Sequence, residues 1–276
     1  MPAPTPASIS ASPAIHPTAV IDPQAELADG VEIGPYAMLT GRVRLGPGVR
    51  VMAHAMLAGP LDIGSGTTIY PHATLGLPPQ DFKFAPGSPT AGVVVGSDCI
   101  IREQSSIHAA SNDHTPTRVG NRCFLMVNAH VGHDCRVGND VIMVNNTALG
   151  GHAIVDDRAN ISGGAAVHQH TRVGRLAMAS GGSVITSDIP PFFIHVGRAT
   201  LAGVNHIGLR RNGFDSDAIT QIRRAYRDCF RRPVPKDEMI AMLREQAKTC
   251  PPIGELADFV EQSARGVAIG RSTRKQ

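Results

Sequence analysis

An aliphatic side chain returns every six residues along most of this chain. The series is interrupted twice, and each time it resumes with the same period. Its members are Ile15, Ile21, Leu27, Ile33, Leu39, Leu45, Val51, Leu57, Ile63, Ile69, Leu75, Val95, Ile101, Ile107, Val119, Leu125, Val131, Val137, Met143, Leu149, Val155, Ile161, Val167, Val173, Ala179 and Ile185. A period of six fits neither the α-helix nor an isolated strand. Hexapeptide repeats of this kind predict a parallel β-helix.

The six-residue period also predicts how the core is built. Three hexads, each a short strand and a corner, form one coil, and successive coils lie at strand spacing, roughly 4.8 Å. Each aliphatic side chain points inward and contributes about 1.5–3 kcal/mol on burial. This repeated contribution explains how a chain with no Trp and only 4% aromatic residues can form a core. The glycines that follow the aliphatic position are expected at corners, where the backbone turns tightly: Gly34, Gly46, Gly64, Gly120, Gly138 and Gly174.

The limits of the repeat define the expected domain organisation. Residues 1–14 carry no charged side chain and are rich in Pro, Ala, Ser and Thr, so we expect a disordered tail there. The all-β solenoid is expected over residues 15–191. Two polar insertions, residues 76–92 and 109–118, interrupt it and are expected to be loops at coil corners. Residues 192–276 are expected to form a small α-helical C-terminal domain.

Helical spacing and positive charge both characterise the C-terminal region. The spacing predicts helices over residues 215–232, 236–248 and 253–264. Residues 192–276 hold 15 Lys or Arg against 9 Asp or Glu, whereas residues 1–191 hold 11 against 14. This basic region is either a set of solvated helical faces or a docking surface for an anionic partner. Nucleic acid is not expected, because no aromatic platform accompanies the charge.

Several sequence features predict the cellular compartment and the oligomeric state. No apolar stretch is long enough for a transmembrane helix, and the N-terminus lacks the basic start and apolar run of a signal peptide. The five Cys residues show no ligand spacing, so we expect buried thiols in a reducing, cytoplasmic compartment. A triangular prism has three flat faces that can associate around a three-fold axis, so we expect a homotrimer.

Histidine clusters at one predicted corner of the coil. The 18-residue coil predicts two stacked columns there: Asp134, His152 and His170 in the first, and His133, Gly151 and Gln169 in the second. A neutral imidazole is the usual general base near pH 7, and the adjacent carboxylate could orient it. The backbone N–H of Gly151 could stabilise an oxyanion. A base and an oxyanion donor without a nucleophile suggest direct acyl transfer to a bound hydroxyl or amine.

The histidines also allow two other interpretations, a metal site and a structural ladder. Clustered imidazoles can hold zinc with an open position for water, as in carbonic anhydrases built on related solenoids. However, His130 and His133 are three residues apart, and strand residues at that spacing point to opposite faces unless a corner intervenes. We therefore expect no bound metal. His54 and His72 are also 18 residues apart, and we expect them to form a stacked structural ladder.

Specific motifs resemble the UDP-N-acetylglucosamine O-acyltransferases. The similarity covers about residues 14–265 and is carried by NAHVGHDCRVGN (128–139), LGLPPQDFKF (75–84), GGH (150–152), AVHQ (166–169), DIPPF (188–192), GVN (203–205) and LRRNGF (209–214). The resemblance implies a left-handed parallel β-helix that assembles as a trimer with active sites between subunits. It also implies transfer of an (R)-3-hydroxyacyl group from acyl carrier protein to the glucosamine 3-hydroxyl of UDP-N-acetylglucosamine, the first step of lipid A biosynthesis. No cofactor is expected, because the acyl carrier protein is a co-substrate.

The resemblance also implies residue roles. His133 matches the general base, Asp134 matches its partner, and Gly151 matches the oxyanion donor. The residues that match substrate-binding positions, from the sugar and acyl-chain contacts to the nucleotide end, are Gln80, Asp81, Lys83, His130, His152, His168, Gln169, Gly181, Asn205 and Arg211. Gly181 falls where the family measures acyl-chain length. The acidic acyl carrier protein is the partner implied for the basic C-terminal region.

The chain departs from the family pattern near the substrate. Ile107-His108 is followed by AASNDHTPTR, where the family usually has a basic, Gly-containing stretch. Ile207 stands where the family has an acidic residue near the nucleotide. The segment 198–201 is one residue shorter than the commonest spacing in the family. These differences leave the acceptor open. A 3-amino UDP-sugar as acceptor, or coenzyme A as carrier of the acyl donor, therefore remains an alternative.

Overall fold

A computed structural model describes residues 12–270 of the chain. The structure divides into two compact units on either side of the peptide bond between Cys135 and Arg136. The predicted tail, residues 1–14, lies mostly outside the described residues, and Ala14 pairs with Glu32 in the first strand.

Short parallel strands make up the first unit. They are β1 (Ala14–Ile15), β2 (Val20–Ile21), β3 (Glu26–Leu27), β4 (Glu32–Ile33), β5 (Met38–Thr40), β6 (Val43–Leu45), β7 (Arg50–Val51), β8 (Met56–Ala58), β9 (Leu61–Ile63), β10 (Thr68–Ile69), β11 (Thr74–Leu77), β12 (Val93–Val95), β13 (Ile100–Ile101), β14 (Ser106–His108), β15 (Thr117–Val119), β16 (Phe124–Leu125) and β17 (His130–Val131). Each strand pairs with the strand three places along the chain, which gives the orders β1-β4-β7-β10-β13-β16, β2-β5-β8-β11-β14-β17 and β3-β6-β9-β12-β15. The chain therefore winds into three-sided coils, as the six-residue period predicts.

The register of the strands matches the predicted repeat. Leu39 pairs with Leu57, and Leu57 pairs with Leu75, each one coil further along. Leu75 pairs in turn with Ile107, so the column continues across the first insertion. All four side chains are fully buried. The aliphatic series therefore forms the core of the unit, as expected.

The coil corners turn at a different residue from the one predicted. The third residue after the aliphatic position adopts a left-handed backbone, with φ of 57° at Tyr36, 59° at His54 and 62° at His72. Gly34 directly follows the aliphatic Ile33 and lies before the turn. A Cβ atom on Gly34 would stand 2.9 Å from the backbone nitrogen of Ala53, one coil further along. Close approach between coils, rather than the turn itself, therefore explains this glycine.

Both insertions follow strands of the same sheet in the first unit. The first runs from the end of β11 to the start of β12, and the second from the end of β14 to the start of β15. They are hydrogen-bonded to each other: Ala91 donates its backbone N–H to the carbonyl of Asn112 at 2.6 Å, and Ala110 donates to the carbonyl of Gly92 at 3.1 Å. The two loops therefore form a single joined structure at one corner of the coil.

The second unit begins with the same kind of coil and ends in helices. Its strands are β18 (Arg136–Val137), β19 (Ile142–Met143), β20 (Ala148–Leu149), β21 (Ile154–Val155), β22 (Asn160–Ile161), β23 (Ala166–Val167), β24 (Arg172–Val173), β25 (Met178–Ala179), β26 (Val184–Ile185), β27 (Phe193–Val196), β28 (Thr200–Val204) and, after the helices, β29 (Ile269–Gly270). Within this unit, β18-β21-β24 and β20-β23-β26 pair in parallel, and so do β19, β22, β25 and β27. An antiparallel pair, β27 and β28, ends this series of coils.

Helices occupy most of the remaining chain. They are α1 (His206–Arg211), α2 (Ser216–Ala225), a π-helical turn (Tyr226–Phe230), α3 (Lys236–Ala247) and α4 (Pro252–Gln262). The predicted helices agree with α2 plus the π-helical turn, α3 and α4 to within two residues at each end, whereas α1 was not predicted. Asp215 caps α2 by accepting a hydrogen bond from the backbone N–H of Ala218 at 2.7 Å. Across residues 12–270, no helix combines the length and apolar character needed to cross a bilayer.

Candidate functional site

A histidine and an aspartate form a hydrogen-bonded pair at the corner after β17. The Nδ1 atom of His133 lies 2.7 Å from Oδ2 of Asp134, and their side chains are only 15% and 6% exposed. Asp134 occupies the left-handed corner position, with φ of 60°. Its backbone N–H donates to Oγ1 of Thr117 at 2.8 Å. The predicted pairing of base and carboxylate is therefore present in the geometry.

The second insertion holds the carboxylate of this pair. Ser111 donates its backbone N–H to both carboxylate oxygens of Asp134, at 3.2 Å each, and its hydroxyl to Oδ2 at 2.6 Å. Asn112 donates its Nδ2 to Oδ1 at 2.7 Å. The carboxylate therefore accepts hydrogen bonds at both oxygens from the loop 109–118, for which the sequence predicted a loop at a coil corner but no role at the site.

Two histidines of the same unit, His108 and His130, pack against each other. His130 hydrogen-bonds through Nδ1 to the hydroxyl of Ser106 at 2.8 Å. His108, which is 8% exposed, donates Nδ1–H to the carbonyl of Pro78 at 2.6 Å, and its ring packs edge-on against that of His130 at 5.3 Å between centroids. Burial lowers the pKa of His130 from 6.5 to about 4, with smaller contributions from His108 and His133. His130 is therefore neutral near pH 7.

The first insertion places its predicted site residues beside the second insertion. Asp81 and Lys83 line a cleft of about 470 Å³ whose other wall includes Ser111 and Asn112, the residues that contact Asp134. Within the loop, Asp81 accepts a hydrogen bond from the backbone N–H of Lys83 at 2.9 Å. Gln80 lies in the same loop with an exposed side chain. The cleft can therefore offer a carboxylate, an ammonium group and loop hydroxyl and amide groups to a polar ligand.

The tautomer of His133 follows from its partner. Since a carboxylate accepts hydrogen bonds, Nδ1 of His133 must carry the proton that Asp134 receives. In a neutral imidazole, Nε2 then carries the lone pair and can accept a proton. A histidine oriented in this way is suited to general-base catalysis.

In the second unit, four predicted site residues follow β20 and β23: Gly151, His152, His168 and Gln169, of which the first is separated from its strand by one glycine. The rings of His152 and His170 stack at 4.5 Å with an angle of 8° between their planes, as the 18-residue coil predicts. Gly151 accepts a hydrogen bond at its carbonyl from the backbone N–H of His170 at 3.1 Å. His168 donates Nδ1–H to the carbonyl of Gln169 at 3.0 Å, and both side chains are exposed.

Asn205 and Arg211, the two residues predicted to bind the nucleotide end of the substrate, lie in different surroundings. Asn205 accepts a hydrogen bond from the backbone N–H of Gly208 at 3.0 Å and donates to the carbonyl of Leu176 at 2.9 Å, so its side chain caps α1. Arg211 is exposed and lines a cleft of about 640 Å³, together with the chain around Asn205. Gly181, which the resemblance assigns to the measurement of acyl-chain length and not to the nucleotide, is exposed in the corner that follows β25.

A larger groove of about 1200 Å³ carries much of the positive charge of the second unit. Its lining includes five arginines, which are Arg210, Arg223, Arg224, Arg227 and Arg231. Its apolar lining includes Leu201 and Ile219. Asp228 offsets part of the charge through contacts with Arg227 at 3.1 Å and Arg224 at 3.5 Å. The groove therefore suits an acidic partner.

The cysteines agree with the prediction from the sequence, whereas two residues that contact Asp134 were not predicted. All five cysteines are free and buried, as expected. Ser111 and Asn112 were not among the predicted site residues. The signal that could have found them is the position of polar, turn-forming residues directly after a buried strand, in an insertion next to the His133 corner.

Comparisons with known proteins agree with these observations. A family model described as "Udp N-acetylglucosamine O-acyltransferase; Domain 2" matches residues 188–268. The curated acyl-[acyl-carrier-protein]–UDP-N-acetylglucosamine O-acyltransferase of Trichlorobacter lovleyi is 45% identical over 93% of this chain and 99% of its own length. The corresponding protein of Myxococcus xanthus is 44% identical over 92% and 98%.

Solved structures extend the likeness to the fold. The UDP-N-acetylglucosamine O-acyltransferase of Moraxella catarrhalis superimposes with a TM-score of 0.88 at 35% identity, over 92% of this chain and 99% of its own. The UDP-N-acetylglucosamine acyltransferase of Francisella novicida gives 0.89 at 30% identity, over 94% and 95%. These matches and the parallel coils confirm the predicted fold class, a left-handed parallel β-helix followed by a few C-terminal helices.

Proposed function

Since this chain belongs to the family of acyl-[acyl-carrier-protein]–UDP-N-acetylglucosamine O-acyltransferases, we propose that it catalyses the reaction for which that family is named. The proposed reaction transfers an (R)-3-hydroxyacyl group from acyl carrier protein to the glucosamine 3-hydroxyl of UDP-N-acetylglucosamine, the first step of lipid A biosynthesis. Family membership supports the reaction class. The observation that carries the chemistry is the oriented pair of His133 and Asp134.

The proposed mechanism is direct transfer with His133 as general base. Nε2 of His133 takes the proton of the sugar hydroxyl as its oxygen attacks the thioester carbonyl, and the new ester bond forms as the carbon–sulfur bond breaks. The proton on the imidazole then passes to the departing thiolate. Asp134 stabilises the imidazolium formed in between, because it accepts the Nδ1–H at 2.7 Å. Gly151 is assigned the oxyanion donor by the resemblance, with its backbone N–H as the donor.

Substrate binding is proposed for the remaining predicted residues. The cleft lined by Asp81 and Lys83 supports a role for the first insertion, including Gln80, in binding the sugar and acyl chain. A neutral His130 supports a hydrogen-bonding role without added charge. His152, His168, Gln169 and Gly181 keep the roles assigned by the resemblance.

Arg211 is proposed to pair with the diphosphate of the nucleotide. Its exposed position in a cleft supports this role. Asn205 caps α1 with its side chain, so its proposed contribution to nucleotide binding is to hold the start of that helix in place. A backbone contact with the nucleotide would leave this cap intact.

Partners and assembly are part of the proposal. The arginine-lined groove supports docking of acidic acyl carrier protein. Val20 and Met38 are 56% and 40% exposed on adjacent strands of one sheet, and an apolar face of this kind supports the proposed homotrimer. The five free thiols support a cytoplasmic location.

Product analysis tests the proposal against its alternatives. Purified protein is incubated with UDP-N-acetylglucosamine, or its 3-amino analogue, and a ladder of (R)-3-hydroxyacyl chains on acyl carrier protein or coenzyme A. We expect mass spectrometry to detect an ester of the hydroxyl acceptor from the carrier-protein donor. The Arg223→Glu/Arg227→Glu variant should need more carrier protein at low salt. Exclusive amide formation, or exclusive use of coenzyme A, would replace the proposed reaction with the corresponding alternative.

A further inference from the structure

Ser111 and Asn112 of the second insertion donate hydrogen bonds to Asp134, and neither residue has a role assigned from the sequence. We propose that Ser111 and Asn112 are positioning residues for the catalytic base: they fix the carboxylate of Asp134, which in turn fixes the imidazole of His133. This inference rests on the proposed function, because it assigns a role to a loop that contacts the carboxylate partner of the proposed base. It also gives a function to the segment in which this chain departs from the family pattern.

The geometry supports fixation of the carboxylate in two directions. Oδ2 of Asp134 receives the hydroxyl of Ser111 at 2.6 Å on the side shared with Nδ1 of His133, while Oδ1 receives Nδ2 of Asn112 at 2.7 Å. The backbone N–H of Ser111 lies 3.2 Å from each oxygen. Donors at both oxygens oppose rotation of the carboxylate about the Cβ–Cγ bond of Asp134. Such a rotation would move Oδ2, the acceptor atom, away from Nδ1 of His133.

Asn112 is itself held in one orientation. Its Oδ1 accepts backbone N–H groups from Thr115 at 2.7 Å and His114 at 3.1 Å, and its backbone carbonyl accepts from Ala91 at 2.6 Å. With Oδ1 fixed as the acceptor, Nδ2 is the atom that faces Asp134. The side chain therefore connects the fold of the loop directly to the carboxylate.

Burial explains why the carboxylate needs these donors. The side chain of Asp134 is only 6% exposed, so water supplies little of its solvation. A buried charge without hydrogen bonds is strongly destabilised. Loss of a donor would therefore allow the carboxylate to turn toward another partner, and the orientation and tautomer of His133 would no longer be fixed. Misplacement of a reacting group by about 1 Å can cost roughly 100-fold in rate.

A double-mutant cycle distinguishes positioning from a merely structural role. We expect Asn112→Ala to lower kcat by roughly 10- to 100-fold with an unchanged KM for the sugar nucleotide, and Ser111→Ala to have a smaller effect because its backbone donor stays. Ser111→Thr, which keeps the hydroxyl, should restore most of the activity. In an Asp134→Asn background, Asn112→Ala should cause little further loss, because the loop acts through the carboxylate.

The matched control is His114→Ala in the same loop. The side chain of His114 is 76% exposed, and the backbone N–H that it gives to Asn112 is retained in the variant. We expect wild-type kcat from this control. The Nδ1–H proton resonance of His133, assigned by its loss in His133→Ala, should shift or broaden in Asn112→Ala and stay in place in His114→Ala.

The outcomes separate this inference from the proposed function. Full loss of turnover in His133→Ala, with an unchanged kcat in Asn112→Ala, would overturn the positioning role and leave the proposed base in place. Equal losses from Asn112→Ala in the wild-type and Asp134→Asn backgrounds would also overturn it, since the loop would then act independently of the carboxylate. Full turnover in a folded His133→Ala variant would overturn both. Ser111→Ala provides the same cycle if Asn112→Ala does not fold.

Discussion

Two corners of the first unit share a backbone conformation and differ in what surrounds it. His72 and Asp134 both occupy the left-handed position, with φ of 62° and 60°. His72 belongs to a regular column in which its ring stacks on that of His54 at 5.0 Å, and His54 stacks on Tyr36 at 5.1 Å. Asp134 instead contacts the second insertion through Ser111. The coil supplies the same position at each corner, and an insertion supplies the different chemistry.

This difference explains how a repetitive fold can carry a localised site. In a regular column the neighbour of a corner side chain is the equivalent side chain of the next coil, so the contacts are stacked rings and contribute to stability. An insertion replaces that neighbour with a loop whose residues are free of the six-residue pattern. Hydrogen-bond donors can then be placed against a buried carboxylate without disturbing the aliphatic core. Three predictions test this contrast.

Loss of the imidazole should have the largest effect on turnover at the inserted corner. We expect His133→Ala to lower kcat by roughly 10²- to 10⁴-fold, since that is the typical contribution of a positioned base, while the melting temperature stays near the wild-type value. His72→Ala is the matched variant in the regular column. It should leave kcat unchanged and cost about 1 kcal/mol or less in unfolding free energy. Equal losses of kcat in both variants would contradict the contrast.

Truncation of the core beneath these corners should affect stability instead of chemistry. Leu75 is fully buried between Leu57 and Ile107. Leu75→Ala should lower the free energy of unfolding by about 2–5 kcal/mol, because it removes buried methyl groups and leaves a cavity. Urea unfolding followed by circular dichroism measures this loss. Turnover per folded molecule should stay within about two-fold of wild type, and a loss as large as that of His133→Ala would show that coil and site are not separable.

The third prediction concerns the pH dependence of stability. Burial lowers the pKa of His130 in the folded protein from 6.5 to about 4. The folded state thus binds fewer protons than the unfolded state in this interval, so the contribution of the neutral imidazole is complete above about pH 6.5 and is lost as the pH falls through about 4. Urea midpoints measured between pH 8 and pH 4 should fall less steeply in His130→Gln than in wild type. Identical slopes would show that His130 titrates equally in both states.

The six-residue period was sufficient to predict the parallel coils because it is a property of the chain itself, whereas the left hand of the helix came from the motif resemblance. Each aliphatic residue of the column from Leu39 to Ile107 could be assigned to the interior, and its partner one coil away followed by counting. The same counting predicted the stacked pairs of His54 with His72 and His152 with His170. The reason for glycine at position 34 was missed, since contact between adjacent coils depends on backbone separation that a period does not contain.

The site was only partly predictable for the same reason. Adjacent positions in sequence made the pairing of His133 and Asp134 foreseeable, and the motif resemblance strengthened it. Ser111 lies 23 residues before Asp134 in a segment without the repeat, so no counting rule connects the two. The capping hydrogen bonds of Asn205 were missed because α1 is short and its sequence lacks a clear helical pattern.

One detail of the second insertion bears on how such enzymes can diversify. The backbone N–H of Ser111 faces both oxygens of the Asp134 carboxylate, and every residue type except proline has that group. Selection can therefore vary the side chains of this loop, and with them the surface of the neighbouring cleft, while one anchor of the Asp134 carboxylate is inherited unchanged.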